Sequence, residues 1–481
     1  MDSLWRKLGK APNRVDTDDI YPVHMLDGTK TLRGITVNWI LRFDAILDGN
    51  KLHGALSRLL DMGDWRKMGG RLRLNEKGVL EIHVPRPFTS DRPAVAYSCE
   101  KLNVDIENHE LARTLPQATD KLSIQPGPDN FQSFAIRADA PKAFNDFIYH
   151  DVPLLSLHVT TFNDATLVGL SWPHVLMDVM GQQALLRAWS LVLSDRDVDV
   201  PPVLGAREDA LCTAADASGE AEEFEIGKQR LKGTGLLSFG LRFAWDLIRG
   251  PAMEARTVYM PATVLAALRR EAEADLATSG EVPFISDNDL LTAWGVRMVA
   301  LSQRQPRPVT VLHALNARFR LPELAQAPGV FIQNMAVAGF TLLSAAKATG
   351  SLGSVALANR QHLRAQATKG QIVAFVRDLQ QEAAGADPRL LCGPSDALLM
   401  PVTNWERADI FGSADFSAAV VRSGPSSSPG RIVCHLPSSI GAGEPRNLLV
   451  VLGKDNEGGY WLTAHLSPAA WANMANMPTT K

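Results

Sequence analysis

The sequence predicts an α/β protein built as two domains, on three observations. At 481 residues it is longer than one ordinary hydrophobic core sustains. Strand-like and helix-like stretches alternate irregularly in both halves, as in sheets layered against helices. Between the halves the composition turns acidic and proline-bearing, the mark of a crossover. The divisions drawn on this basis are residues 1–195 for the first domain, 196–258 for the crossover and 259–481 for the second domain.

In chain order, residues 154–162 are rich in strand formers, Asn163-Asp164-Ala165 signals a turn, and 166–172 is a second strand, so a hairpin is expected. Leu185, Trp189 and Val192 then recur at helical spacing, which predicts an amphipathic helix over 178–193. From 194 to about 232, Asp195, Asp197, Asp199, Pro201, Pro202, Glu208 and Asp209 make the crossover polar. The apolar run 236–248 is too short to span a bilayer and carries Arg242 and Asp246. It reads as a helix packed on the protein's own surface, with a helix lying on a membrane surface as the alternative. Ser286 and Asp289 stand at capping-box spacing, opening a helix to about Leu301. Strands follow at 309–315, 335–342, 447–452 and 460–465, with one long helix over 355–382.

Composition narrows the function. Hydrophobic residues at 46% and charged ones at 21% fit an ordinary soluble globular protein. A net charge of −3 argues against holding nucleic acid through phosphate contacts. Cys99, Cys212, Cys392 and Cys434 stand far apart without a CxxC or Cys/His cluster, so no metal and no disulfide frame are expected. With no apolar segment near the N-terminus to act as a secretion signal, the expectation is a cytoplasmic monomer. No glycine-rich phosphate loop follows a predicted strand.

The chemistry concentrates at His174. It lies where the second hairpin strand bends into a helix, a rim position from which catalytic groups emerge. It is also the only histidine of 11 with an Asp four residues later, Asp178. Imidazole accepts a proton near neutrality, with an unperturbed pKa of ~6.5. A carboxylate one helical turn on can hold the bend.

The run from His174 through Asp178 to Gly181 resembles the HxxxDGxG signature of the BAHD acyltransferases, which move acyl groups from coenzyme A to small-molecule alcohols and amines. Other segments resemble the family in its own order. Asp27-Gly28 matches its opening turn, and Met68-Gly69-Gly70-Arg71-Leu72 its "aGRL" strand. Residues 285–293 match its "StnDvltA" helix start. Asn316-Ala317-Arg318-Phe319-Arg320 with Gly329 and Asn334 matches "NxRxR…GYFGN". Thr403-Asn404-Trp405 with Asp415-Phe416 matches "SSW…DFGWG". The chain departs from the pattern at Val179, where the family has Gly, at residues 417–419, where the pentapeptide is lost, and at 329–334, one residue longer. These departures mark a divergent, fungal-like branch.

The resemblance implies two chloramphenicol-acetyltransferase-like domains, mixed sheets flanked by helices, with an active-site channel at their interface. It implies acyl-CoA as co-substrate, a small-molecule acceptor, and no permanently bound cofactor. His174 is then the general base, and Thr403 and Trp405 are donors to the tetrahedral oxyanion. Asp178 either orients His174 or pairs structurally with an Arg, Arg318 before Arg320. Gly181 is either a close-packing or a tolerated surface glycine. Asn334, Asp415 and Phe416 are architectural. Two other readings stay open. One is a carrier-protein thioester donor, against which Pro173 stands where condensation domains carry a second His. The other is a non-transferring cyclase or binding protein.

Overall fold

The computed structural model describes residues 12–219, 222–277, 283–383, 391–424, 428–441 and 443–476. The amino-terminal run judged for a secretion signal, and residues 220–221 of the acidic segment, lie outside these. Two large sheets organise the chain. In chain order their strands are β1 (Thr36–Phe43), β2 (Ala96–Lys101), β3 (Ser123–Pro126), β4 (Ser156–Thr161), β5 (Thr166–Pro173), β6 (Glu254–Met260), β7 (Val309–Asn316), β8 (Ala336–Leu343), β9 (Leu398–Asn404), β10 (Cys434–Ile440), β11 (Leu448–Lys454) and β12 (Tyr460–Leu466). The first sheet runs β10-β1-β5-β4-β2 and the second β8-β7-β9-β11-β12-β6-β3. Both mix parallel and antiparallel pairs. The sheets exchange edges. β10, from late in the chain, closes the first sheet, and β3, from early in it, closes the second.

The hairpin forms as β4 and β5, with Thr161 opposite Thr166 and Ser156 opposite Ser171. β5 is buried along its whole length. That is why it reads as a near-continuous apolar run instead of an alternating one. The main helices are α1 (Gly49–Leu59), α2 (Val179–Leu193), α3 (Gly233–Arg249), α4 (Ala262–Leu276), α5 (Asp287–Leu301), α6 (Leu352–Gln366) and α7 (Lys369–Ala383). α2 buries Leu185, Trp189 and Val192 completely, and the Trp189 indole donates to Leu52 O of α1 at 3.0 Å. Each such side chain contributes roughly 1.5–3 kcal/mol of burial. The predicted capping box opens α5, with Ser286 N donating to Asp289 Oδ2 at 2.9 Å.

Three expectations need correction. The single helix over 355–382 is two, because Thr368 Oγ1 accepts from Gln371 N at 3.2 Å and starts a new N-cap. The segment drawn as the crossover, 196–258, holds regular structure and ends inside a strand. Val203–Leu204 pairs parallel with Val330–Phe331, Ala210–Ala217 is helical, and β6 begins before residue 259. Last, α3 does not pack its apolar side on the body, since only Phe239 of its 17 residues is buried.

Candidate active site

β5 ends at one edge of the cleft between the sheets. Pro173 pairs with Thr36, and the next residue, His174, donates its backbone N–H to Ile35 O at 2.9 Å. Four residues on, Asp178 is the N-cap of α2. Its Oδ1 accepts from Met180 N at 3.1 Å and Gly181 N at 3.2 Å. Its Oδ2 accepts from Arg318 Nη1 at 2.7 Å and Met335 N at 2.9 Å. Arg318 also donates to Phe331 O at 3.0 Å and to Gln333 O. With these side chains 8% and 10% exposed, the pair is a buried clamp between the His174 bend and the segment before β8. Arg320, the alternative partner, lines the cavity instead.

Behind His174 lies a second tie. Asn334 Nδ2 donates to His174 O at 3.0 Å and to Asp27 Oδ1 at 2.7 Å, and Asn334 N also donates to Asp27 at 2.7 Å. Burial pushes the Asp27 carboxyl up to about 6, against the pull of Lys67 and the Asn334 bonds. Buried Lys67 donates to Ala206 O at 3.2 Å, and Asp209 accepts from Gln333 Nε2 at 3.0 Å. The opening turn, the crossover and the approach to β8 therefore converge behind one histidine.

Gly181 is a close-packing glycine. A Cβ there would stand 2.6 Å from Ile332 O and 2.7 Å from Met177 Cβ. Gly181→Ala is expected to cost about 1–3 kcal/mol in urea unfolding. An unchanged unfolding midpoint would contradict the packing account.

The His174 ring is what this framework presents. Nδ1 is shut off from solvent with no hydrogen-bond partner among the described residues, and the residue lines the cavity. Burial holds the imidazole below its usual 6.5, opposed by its own backbone, the Asp178 charge and Asn334. It is neutral at pH 7, the form that accepts a proton.

The cavity measures about 1310 Å³ and draws its walls from both sheets. Thr403 and Trp405, at the end of β9, line it together with His174 and Asn334. Trp405 Nε1 donates to Thr403 Oγ1 at 3.0 Å. The indole N–H is thus engaged, leaving the Thr403 hydroxyl hydrogen as the donor free to turn to a ligand. His435 wedges against Trp39 at 4.2 Å and lies 6.1 Å from Trp405. Its burial drives it down to about 3, so it is a neutral packing ring. Asp415 and Phe416 lie away from the cavity. Asp415 accepts from Arg431 Nη2 at 2.8 Å, and Phe416 stacks on Phe43 with centroids 5.2 Å apart.

Sequence reasoning missed Asp27 as the anchor of Asn334, and it left the basic residues unplaced. Arg320, Arg360, Arg364 and Arg407 all line the cavity, whereas Arg307 is paired with Asp246 and Arg304 is exposed outside it. Arg320 is pushed below its usual range by burial and by the charges of Arg407 and Arg360. The cavity thus gathers like charges, with Asp289 3.9 Å from Arg360. The sequence spacing of these arginines carries no such signal. Among the described residues, no group of three His, Cys, Asp or Glu side chains gathers as metal ligands would.

Two mixed sheets with exchanged edges, and a histidine at the bend over the cleft between them, define a protein of the two-domain chloramphenicol-acetyltransferase-like class. No protein-family model matches the chain. It is 35% identical to O-acetyltransferase PaAT-2 of Phomopsis amygdali, over 95% of this chain and 97% of that one. It is 33% identical to acetyltransferase pyiB of Pyricularia grisea, over 98% and 96%. Among solved structures, TRI101 of F. sporotrichioides complexed with coenzyme A and T-2 superposes with a TM-score of 0.64 at 14% identity, covering 95% and 97%. Vinorine synthase superposes with a TM-score of 0.56 at 13% identity, covering 97% and 94%. The chain belongs to the family of these fungal acetyltransferases.

Proposed function

We propose that this protein transfers an acyl group from acyl-CoA to a hydroxyl, or an amine, of a small specialised metabolite. His174 acts as general base, and no covalent acyl-enzyme forms. One observation carries this reading most: an imidazole held below its usual pKa lines the same cavity as Thr403. Nε2 takes the acceptor's proton as its oxygen attacks the thioester carbonyl. The Thr403 O–H, held in place by Trp405, donates to the resulting oxyanion. The tetrahedral species collapses, the C–S bond breaks, and the imidazolium returns its proton to the thiolate.

Asp178 serves as the cap and clamp of the bend, leaving His174 to do the chemistry. Arg320, Arg360 and Arg407 are the groups that would meet the donor's phosphates; they line the cavity, and among the described residues no ion pair is made by Arg320 or Arg407. The division into domains at 1–195 and 259–481, monomeric state and a cytoplasmic site belong to the same reading. No described helix is long and apolar enough to cross a membrane.

The pH dependence tests the base. Its pKa lies below 6.5, so kcat/KM is expected to be flat above that value and to fall as pH drops through the lowered pKa. Stability is lost from pH 6.5 downward, as the unfolded chain takes up the proton first, and the loss levels off once pH passes below the lowered folded pKa. Calorimetry with a panel of acyl-CoAs should give saturable binding and turnover. An acid limb centred well above 6.5, or no binding of any acyl-CoA, would sink the reading.

A further inference from the structure

Helix α3 carries an unusual surface. Its inward side meets the body through Phe239, which is buried, and through Asp246, which pairs with Arg307 at 2.9 Å. On the opposite side Leu237, Leu241, Trp245 and Ile248 fall at helical spacing and point to solvent. They are 64%, 65%, 59% and 77% exposed, values that a soluble surface rarely shows on one stripe.

We propose that α3 is a peripheral membrane anchor, lying flat on an anionic lipid surface with this stripe inserted among the acyl chains. Its 17 residues, interrupted by Arg242 and Asp246, are too few and too charged to span. An interfacial helix needs what α3 has: leucine and isoleucine on one side, an aromatic residue at the border, and basic groups beside them. Trp245 is that border residue, with the Arg249 guanidinium 5.0 Å from its ring centroid. Lys232, Arg242 and Arg249 are exposed, and the helix's own acid, Asp246, is already held by Arg307. This positive local balance stands against a chain whose net charge is −3, and it matches lipid phosphates and carboxylates. A second copy docked stripe to stripe would set Arg242 and Arg249 against their own kind with no free acid to offset them. The inference does not depend on the assignment of His174.

The test is flotation of the full chain with vesicles of phosphatidylcholine alone or of equimolar phosphatidylcholine and phosphatidylserine. Binding is expected to the phosphatidylserine vesicles and to weaken as salt rises. The double variant Leu241→Glu/Ile248→Glu should reduce partition roughly tenfold or more. Both positions are exposed, so its circular dichroism and its turnover in vesicle-free solution should match wild type. Wild type failing to float, or the variant floating equally well, overturns the proposal. So does a wild-type dimer in sedimentation that the variant dissolves while neither binds lipid, which would assign the stripe to a second copy.

Discussion

His174→Ala is expected to lower kcat by about 10²–10⁴-fold while changing KM for acyl-CoA far less. In the proposed mechanism the imidazole acts on a proton that moves only during reaction, so ground-state binding loses little. The cavity walls and the Arg320, Arg360 and Arg407 cluster remain in place when the ring is removed. Thioester turnover and calorimetry on the same preparation separate the two effects. A variant that binds acyl-CoA normally and turns over within a few-fold of wild type would remove His174 from the base role. The basic patch would then have to be explained without this chemistry.

The second large effect is on stability. Arg318→Ala is expected to cost about 3–5 kcal/mol in urea unfolding. The substitution leaves the Asp178 carboxylate buried without its cation, and strips the donor from Phe331 O and Gln333 O. Three backbone N–H groups still bind Asp178, from Met180, Gly181 and Met335, and they set the upper bound on the damage. Activity should fall as well, because the clamp holds the bend that carries His174. A double-mutant cycle with Asp178→Ala should show strong coupling, the pair losing much less together than the sum of the singles. A loss below about 1 kcal/mol for Arg318→Ala would mean the pair behaves as a surface ion pair and does not clamp the bend.

Much of this site was legible in sequence because its signals are short-range. The N-cap carboxylate at Asp178, the hairpin before His174 and the capping box at Ser286 are all encoded within a helical turn or a strand length. The misreading of 355–382 arose in the same range, where a single Thr hydroxyl stops one helix and starts another without breaking the polar face. Trp405 illustrates the limit of residue type as evidence. An indole N–H is a suitable oxyanion donor, but only the fold reveals that Thr403 already accepts it. Missing strands have a similar cause. β10 is recognisable as a strand only once it lies against β1, where Cys434 pairs with Arg42 and Ile440 with Thr36.

By itself, then, the sequence determined the α/β class, the hairpin and helix that carry His174, and the residue types able to move a proton and stabilise an oxyanion. Periodicity and caps act over a few residues, so one sequence suffices to read them. Tertiary structure alone decided which edges the sheets exchange, that Asn334 reaches Asp27 across 307 residues, and that five arginines share one cavity. It also decided that the apolar stripe of α3 is left uncovered. A side chain's spacing dictates which face of a helix it occupies. Whether that face meets protein or solvent depends on what the rest of the chain packs against it.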